Sequence, residues 1–129
     1  MDNILKDYCD RSVIGTFDAN TITASSDDRL KFNEKNITNG LEVINQLNPK
    51  IYDKSKTLNV EEDTHKESGL IAQEVLQTDL SFCVTGGDYI DFVGNTIEEH
   101  YKVNYNDIIA YLISAVKELK TKVEILEQR

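Results

Sequence analysis

The stretch YNDIIAYLISAVKELKTKVEIL, residues 105–126, decides how this chain is read. Tyr105, Ile109, Leu112, Val116, Leu119, Val123 and Leu126 recur at alternating spacings of four and three. That is the a/d pattern of a heptad, and it predicts a long helix with an apolar seam. Asn106 is the expected N-cap, with Asp107 favourable in the first turn. In a parallel arrangement Lys122 at g faces Glu127 at e of a neighbouring chain. Val and Ile at a with Leu at d favour two strands in simple coils. Ile108, Ile113 and Ala115, however, make the first heptad apolar at e and g as well. A stripe that wide buries more than one partner surface, either a third helix or the globular part of the same protein. Periodicity alone leaves an intermolecular coil and a helix folded back on its own domain equally open.

Upstream, the period shortens. Tyr101, Val103 and Tyr105 alternate with polar residues as in a strand. Leu80–Val84 and Tyr89–Val93 flank Gly86-Gly87, which predicts a hairpin with the glycines supplying the turn. Gly69–Ala72 reads as a short buried strand running into a helical turn through Gln73–Leu76. Ile37, Leu41, Ile44 and Leu47 predict a helix capped by Asn36 or Thr38 and ended by Pro49. Ile51-Tyr52 opens an extended segment that leads into an acidic loop at Glu61-Glu62-Asp63. Ser12–Phe17 and Asn20–Ala24 are candidate short strands without a core of their own.

The whole chain has 129 residues and a formal charge of −9, with 40% hydrophobic and 29% charged residues. That is globular composition for one domain, able to bury about two-thirds of its unfolded surface without staples. Residues 107–129 carry four acids and four bases, so the entire negative excess lies in residues 1–106. Such acidity argues against nucleic acid or an anionic membrane as partner. No apolar run is long enough to span a bilayer, and no cationic leader precedes one at the N-terminus. Cys9 and Cys83 cannot build a disulfide framework and read as packing residues of a reduced, intracellular protein. His65 and His100 lie 35 residues apart, and no metal-ligand spacing is present, so no metal and no cofactor are expected.

One local cluster combines a nucleophile, a base and a loop setting: Ser25-Ser26-Asp27-Asp28-Arg29-Leu30-Lys31. A serine hydroxyl attacks only once a base removes its proton. A lysine serves as that base only when neutral, which takes desolvation or a nearby positive charge. Arg29 is a candidate for that charge, whereas Asp27 and Asp28 oppose it unless they point elsewhere. Spacing alone proves little, and such a charge run is more often a solvated turn. His65 sits in a charged loop, and Gly86-Gly87 lacks the strand, helix and lysine of a phosphate loop. Glu61, Glu62, Asp63 and Glu67 lack the alternation and glycine of a calcium loop.

Three blocks in order resemble the self-cleaving intramolecular chaperone domain at the C-terminus of phage tailspikes, tail fibres and neck appendages, the endosialidase-type chaperone. The first is Ser26–Lys31 with Asn33, followed by Leu41–Pro49 and Tyr52. The second is Gly69–Val75, and the third is Val103-Asn104-Tyr105 with Leu112-Ile113 and Ala115–Lys120. The resemblance covers about residues 26–129. Glu34 stands where a branched apolar residue is usual, and Gly40 replaces a common alanine.

The resemblance implies an α+β chain, with a small mixed globular part of short strands and a helix, then a long C-terminal helix forming a parallel trimeric coiled coil. It divides the chain into residues 1–25, the end of a parent fibre or spike; 26–106, the chaperone and autoprotease part; and 107–129, the trimerisation helix. Ile109, Leu112, Val116, Leu119, Val123 and Leu126 then form the trimer seam. It further implies that Ser26 is the nucleophile and Lys31 its base, with Asp27, Arg29 and Asn33 in support. The cut falls at Ser25–Ser26, or one bond later at Ser26–Asp27. The expected partners are further copies of the chain and the upstream parent, with assembly in the cytoplasm of an infected host and the parent carried on the virion. The competing expectations are a non-cleaving trimerisation module and an acidic adaptor that binds another protein through its last helix.

Overall fold

The computed structural model describes residues 18–129. Cys9 and the strand expected over Ser12–Phe17 lie outside them, and Asn20–Ala24 forms no strand. The chain mixes short helices and strands with one long helix at its end. The described residues divide into two compact units, one of residues 18–34 and 55–64 and the other of residues 35–54 and 65–129.

The second unit holds the core. Its elements are α1 (Gly40–Ile44), β1 (Lys50–Lys54), β2 (His65–Gly69), α2 (Ala72–Val75), β3 (Val84–Gly86), β4 (Tyr89–Ile90), β5 (Thr96–Ile97), β6 (Tyr101–Val103) and α3 (Tyr105–Glu127). The strands form three antiparallel pairs, β1 with β2, β3 with β6 and β4 with β5. Val43, Val75, Leu80, Cys83 and Ile108 are buried together, with Ile44, Leu47, Leu70, Val84, Val103 and Tyr111 packed around them. α1, α2, β3 and β6 contribute only one or two of these side chains each, so the core depends on α3 to complete it. Burial pushes the Cys83 thiol up, as expected of an inert packing cysteine.

Three sequence expectations shift. The helix expected from residue 36 begins at Gly40, and the cap position is Asn39 rather than Asn36 or Thr38. The cause is Ser114 on α3. Its hydroxyl donates to Ile37 O at 3.0 Å and accepts from Gly40 N at 3.2 Å, which holds residues 37–39 out of the helix. A Cβ at Gly40 would stand 2.6 Å from Ser114 Cβ, so the departure from alanine is what lets α1 approach α3. The helix also closes at Ile44, before Pro49 can end it.

The hairpin expected around Gly86-Gly87 is not formed. Leu80 lies before a 3-10 turn at Ser81–Cys83, and β3 pairs with the distant β6 through Val84↔Val103, Thr85↔Lys102 and Gly86↔Tyr101. The glycines, at φ 81° and 96°, turn the chain out of that ladder into the small β4–β5 hairpin. Gly87 lies against the Tyr101 ring, where any side chain would collide. The strand expected at Gly69–Ala72 ends instead at Gly69, its residues 65–69 pairing with β1.

Helix α3 starts two residues earlier than Asn106 as cap would set it. Asn104 is the cap, its side chain accepting from Asn106 N at 3.1 Å. Two of its faces are apolar and only one is covered. Ile108 and Ala115 are 5% and 4% exposed, packed with Tyr111 and Ser114 toward the core. The seam residues Ile109, Leu112, Val116, Leu119, Val123 and Leu126 are all 44–63% exposed. The wide first heptad therefore includes two adjoining stripes, one filled by the protein's own domain and one left open by the described residues. No helix among the described residues is long and apolar enough to cross a membrane.

Candidate functional site

Asp28–Leu30 forms one 3-10 turn, closed by Leu30 N to Asp27 O and Lys31 N to Asp28 O, both at 3.0 Å. Asp27 caps it, its carboxylate accepting from Arg29 N at 2.9 Å. Ser26 precedes the cap and Lys31 follows the turn, so the reversal brings two residues five apart in sequence side by side. Lys31 Nζ donates to Ser26 Oγ at 2.6 Å. Asn33, two residues on, sits at φ 54°, in the left-handed region that asparagine tolerates.

The Arg29 guanidinium lies on Asp27 rather than toward the lysine. Its Nε and Nη2 donate to the carboxylate at 3.1 and 2.8 Å. Arg29 beside it holds the Asp27 carboxyl below the usual carboxylate range, while Asp27 raises Arg29 in turn. The residue expected as a positive neighbour for Lys31 thus neutralises Asp27 instead, and the aspartate is prevented from opposing a neutral lysine. Every residue from Ser25 to Lys31 is exposed, and Leu30 and Phe32 on either side of Lys31 are 65% and 82% exposed. Ser26 and Lys31 are in contact, and both remain open to solvent.

A second polar cluster, in the other unit, was not foreseen as one. Tyr52 faces Glu67 across the β1–β2 ladder and donates to its Oε1 at 3.3 Å. Glu67 also receives His65 Nε2 at 2.8 Å and Lys54 Nζ at 3.5 Å, and these hold its carboxyl below the usual range, His65 most of all. Tyr105 Oη accepts from Leu70 N at 2.9 Å. Tyr52 and Tyr105 were legible as parts of the resembling blocks, whereas Glu67 and His65 were read as loop charges. With β2 placed too late in sequence, the alternation that puts Glu67 opposite Tyr52 gave no signal. Among the described residues, no three His, Cys, Asp or Glu side chains converge as a metal site.

Residues 26–81 match the protein family described as chaperone of endosialidase, which is classed among the peptidases. The chain is also 38% identical over 104 residues to the long tail fiber protein Gp37 of Enterobacteria phage K3, and equally so to that of Enterobacteria phage T2. Those 104 residues are 81% of this chain but only 8% and 7% of the two fibre proteins. The match begins at Ser26, the residue that the turn brings against Lys31.

Proposed function

We propose, from the match of residues 26–81 to the chaperone-of-endosialidase family, that this chain is a self-cleaving trimerisation chaperone for a phage tail fibre or spike. The 2.6 Å contact of Lys31 Nζ with Ser26 Oγ at the head of the matched segment is the observation that carries this reading. Residues 1–25 then belong to the parent fibre, residues 26–106 to the chaperone and autoprotease, and residues 107–129 to the trimer helix.

In this mechanism a neutral Lys31 takes the Ser26 hydroxyl proton, and Oγ attacks the Ser25 carbonyl. The acyl group passes from the Ser26 nitrogen to its oxygen, and Lys31 returns the proton to the departing amine. Water then hydrolyses the ester, leaving a carboxylate on Ser25 and a free amine on Ser26. Backbone N–H groups hold the oxyanion on the way. Nucleophile and bond share one chain, so proximity replaces a large part of what a better nucleophile would supply. A cut one bond later leaves a chain that begins at Asp27.

The uncovered seam of α3 supports the assembly half of the reading. Three such helices in parallel bury the stripe that the protein's own domain leaves open. Held together, the three upstream chains gain local concentration and register for slow, long-range β pairing. Removing the clamp afterwards leaves the fibre kinetically trapped. Exposed Leu30 and Phe32 support a further step, in which assembly covers Lys31 and lowers its affinity for a proton.

The test is a time course of chain mass for the wild type beside Ser26→Ala and Lys31→Met. Wild type splits near Ser26 and both variants stay whole. If all three stay whole yet remain trimeric, the protein is a structural clamp and not a peptidase. Whole monomers would leave only the adaptor reading.

A further inference from the structure

We propose that, on assembly, Ile113 of one copy seats on the globular part of a second copy, against the Leu70 and Tyr105 that lie beside that copy's buried Ile108. The proposal rests on the assembly half of the function above, for which it names a contact surface, and it does not depend on self-cleavage.

Of the three residues that widen the first heptad, Ile108 and Ala115 at g are 5% and 4% exposed, whereas Ile113 at e is 58% exposed. The protein's own domain thus accounts for the apolar g positions and leaves the apolar e position out. Position e of a coil ordinarily carries a charge, as it does at Lys120 and Glu127 in the next two heptads. An isoleucine there calls for an apolar surface to cover it.

Which surface that is follows from the g positions. In a parallel coil each g residue faces the e residue of the following heptad in the neighbouring helix. Ile108 then faces Ile113 of the second copy, Ala115 faces Lys120, and Lys122 faces Glu127. Lys122 is exposed and free to meet a helix. Ile108 is not, because it is buried in the core with Val43, Val75, Leu80 and Cys83. A neighbouring helix laid along the seam therefore brings its Ile113 over the domain that covers Ile108, and not over a bare helix. Tyr105, one turn before Ile108 and itself on the seam, marks the edge of that domain. Its ring is 45% exposed, and its hydroxyl accepts from Leu70 N at 2.9 Å. Leu70 is partly buried against the core cluster. The two side chains form an apolar shelf where the domain meets the seam, and an isoleucine at e gains there what a charge would lose.

The experiment uses the Ser26→Ala chain, in which every copy stays whole, with the photo-crosslinking residue benzoylphenylalanine in place of Ile113 or of Glu127. Sedimentation follows assembly, and the joined peptides of covalent dimers are identified by mass. We expect position 113 to join to the segment around Leu70 or to Tyr105, and position 127 to join within α3. Position 113 joined only to residues 109–126, or giving no covalent dimer in a chain that sediments as an assembly, overturns the proposal and leaves the coil standing. A second measurement avoids the bulky label. Ile113→Ser alters a side chain exposed in the single chain, so its circular dichroism should not change. With both chains assembled, hydrogen exchange at Leu70 should be about tenfold faster in Ile113→Ser than with isoleucine present, as for the loss of one buried apolar contact. Equal exchange in the two assembled chains overturns the contact. A Ser26→Ala chain with its native Ile113 that sediments as a monomer overturns the assembly reading, and the proposal falls with it.

Discussion

Ser26 and Lys31 meet because a single 3-10 turn, capped by Asp27 and braced by Arg29, lies between them. That is local chemistry, and it was legible in seven consecutive residues. Gly40 was legible only as an oddity, because the reason for it lies 74 residues away at Ser114. Gly40→Ala drives a methyl group into the α1–α3 contact and should cost about 1–3 kcal/mol, as overpacking does. Thermal unfolding of the Ser26→Ala protein with and without the change measures it. Tyr52 gives a second test. Its folded pKa of about 12 lies above the ordinary 10.0, so the unfolded chain loses the proton first. Stability is thus fully present below pH 10 and falls as pH rises toward 12. Tyr52→Phe removes that part of the alkaline slope, and melting temperature against pH shows whether it does.

At the scale of elements, the heptad announced α3 and its seam, and the apolar e and g positions announced a second surface. What spacing could not say is which stripe faces home. Long-range packing decided it by placing Ile108 and Ala115 against the core and leaving Ile109, Val116 and Val123 outside. Truncation on the two faces should therefore have opposite consequences. Ile108→Ala opens a cavity in the core and costs about 2–5 kcal/mol of stability. Leu119→Glu on the open stripe should leave the fold of a single chain intact, by circular dichroism, and abolish assembly in sedimentation. The Gly86-Gly87 hairpin failed for a related reason. A glycine pair signals positive φ, but not which strand the chain has just left or will rejoin. Here β3 pairs with β6, across an intervening hairpin. Tyr105 was likewise assigned to the seam by period alone, while its hydroxyl bonds to Leu70 N.

At the scale of the whole molecule, Ser26 and Lys31 meet in the open, and the α3 seam is left uncovered by the described residues. In the proposed function the lysine gains its cover, and the seam its partners, through assembly. The net negative charge lies in residues 1–106, and the helix beyond is balanced. The most direct test of the central claim is native mass spectrometry of the wild-type chain beside Ser26→Ala, reading subunit number and chain mass in the same spectrum. The account predicts trimers in both, with wild-type subunits shortened to begin at Ser26 or Asp27 and Ser26→Ala subunits intact. Intact wild-type subunits, in whatever assembly, would contradict it.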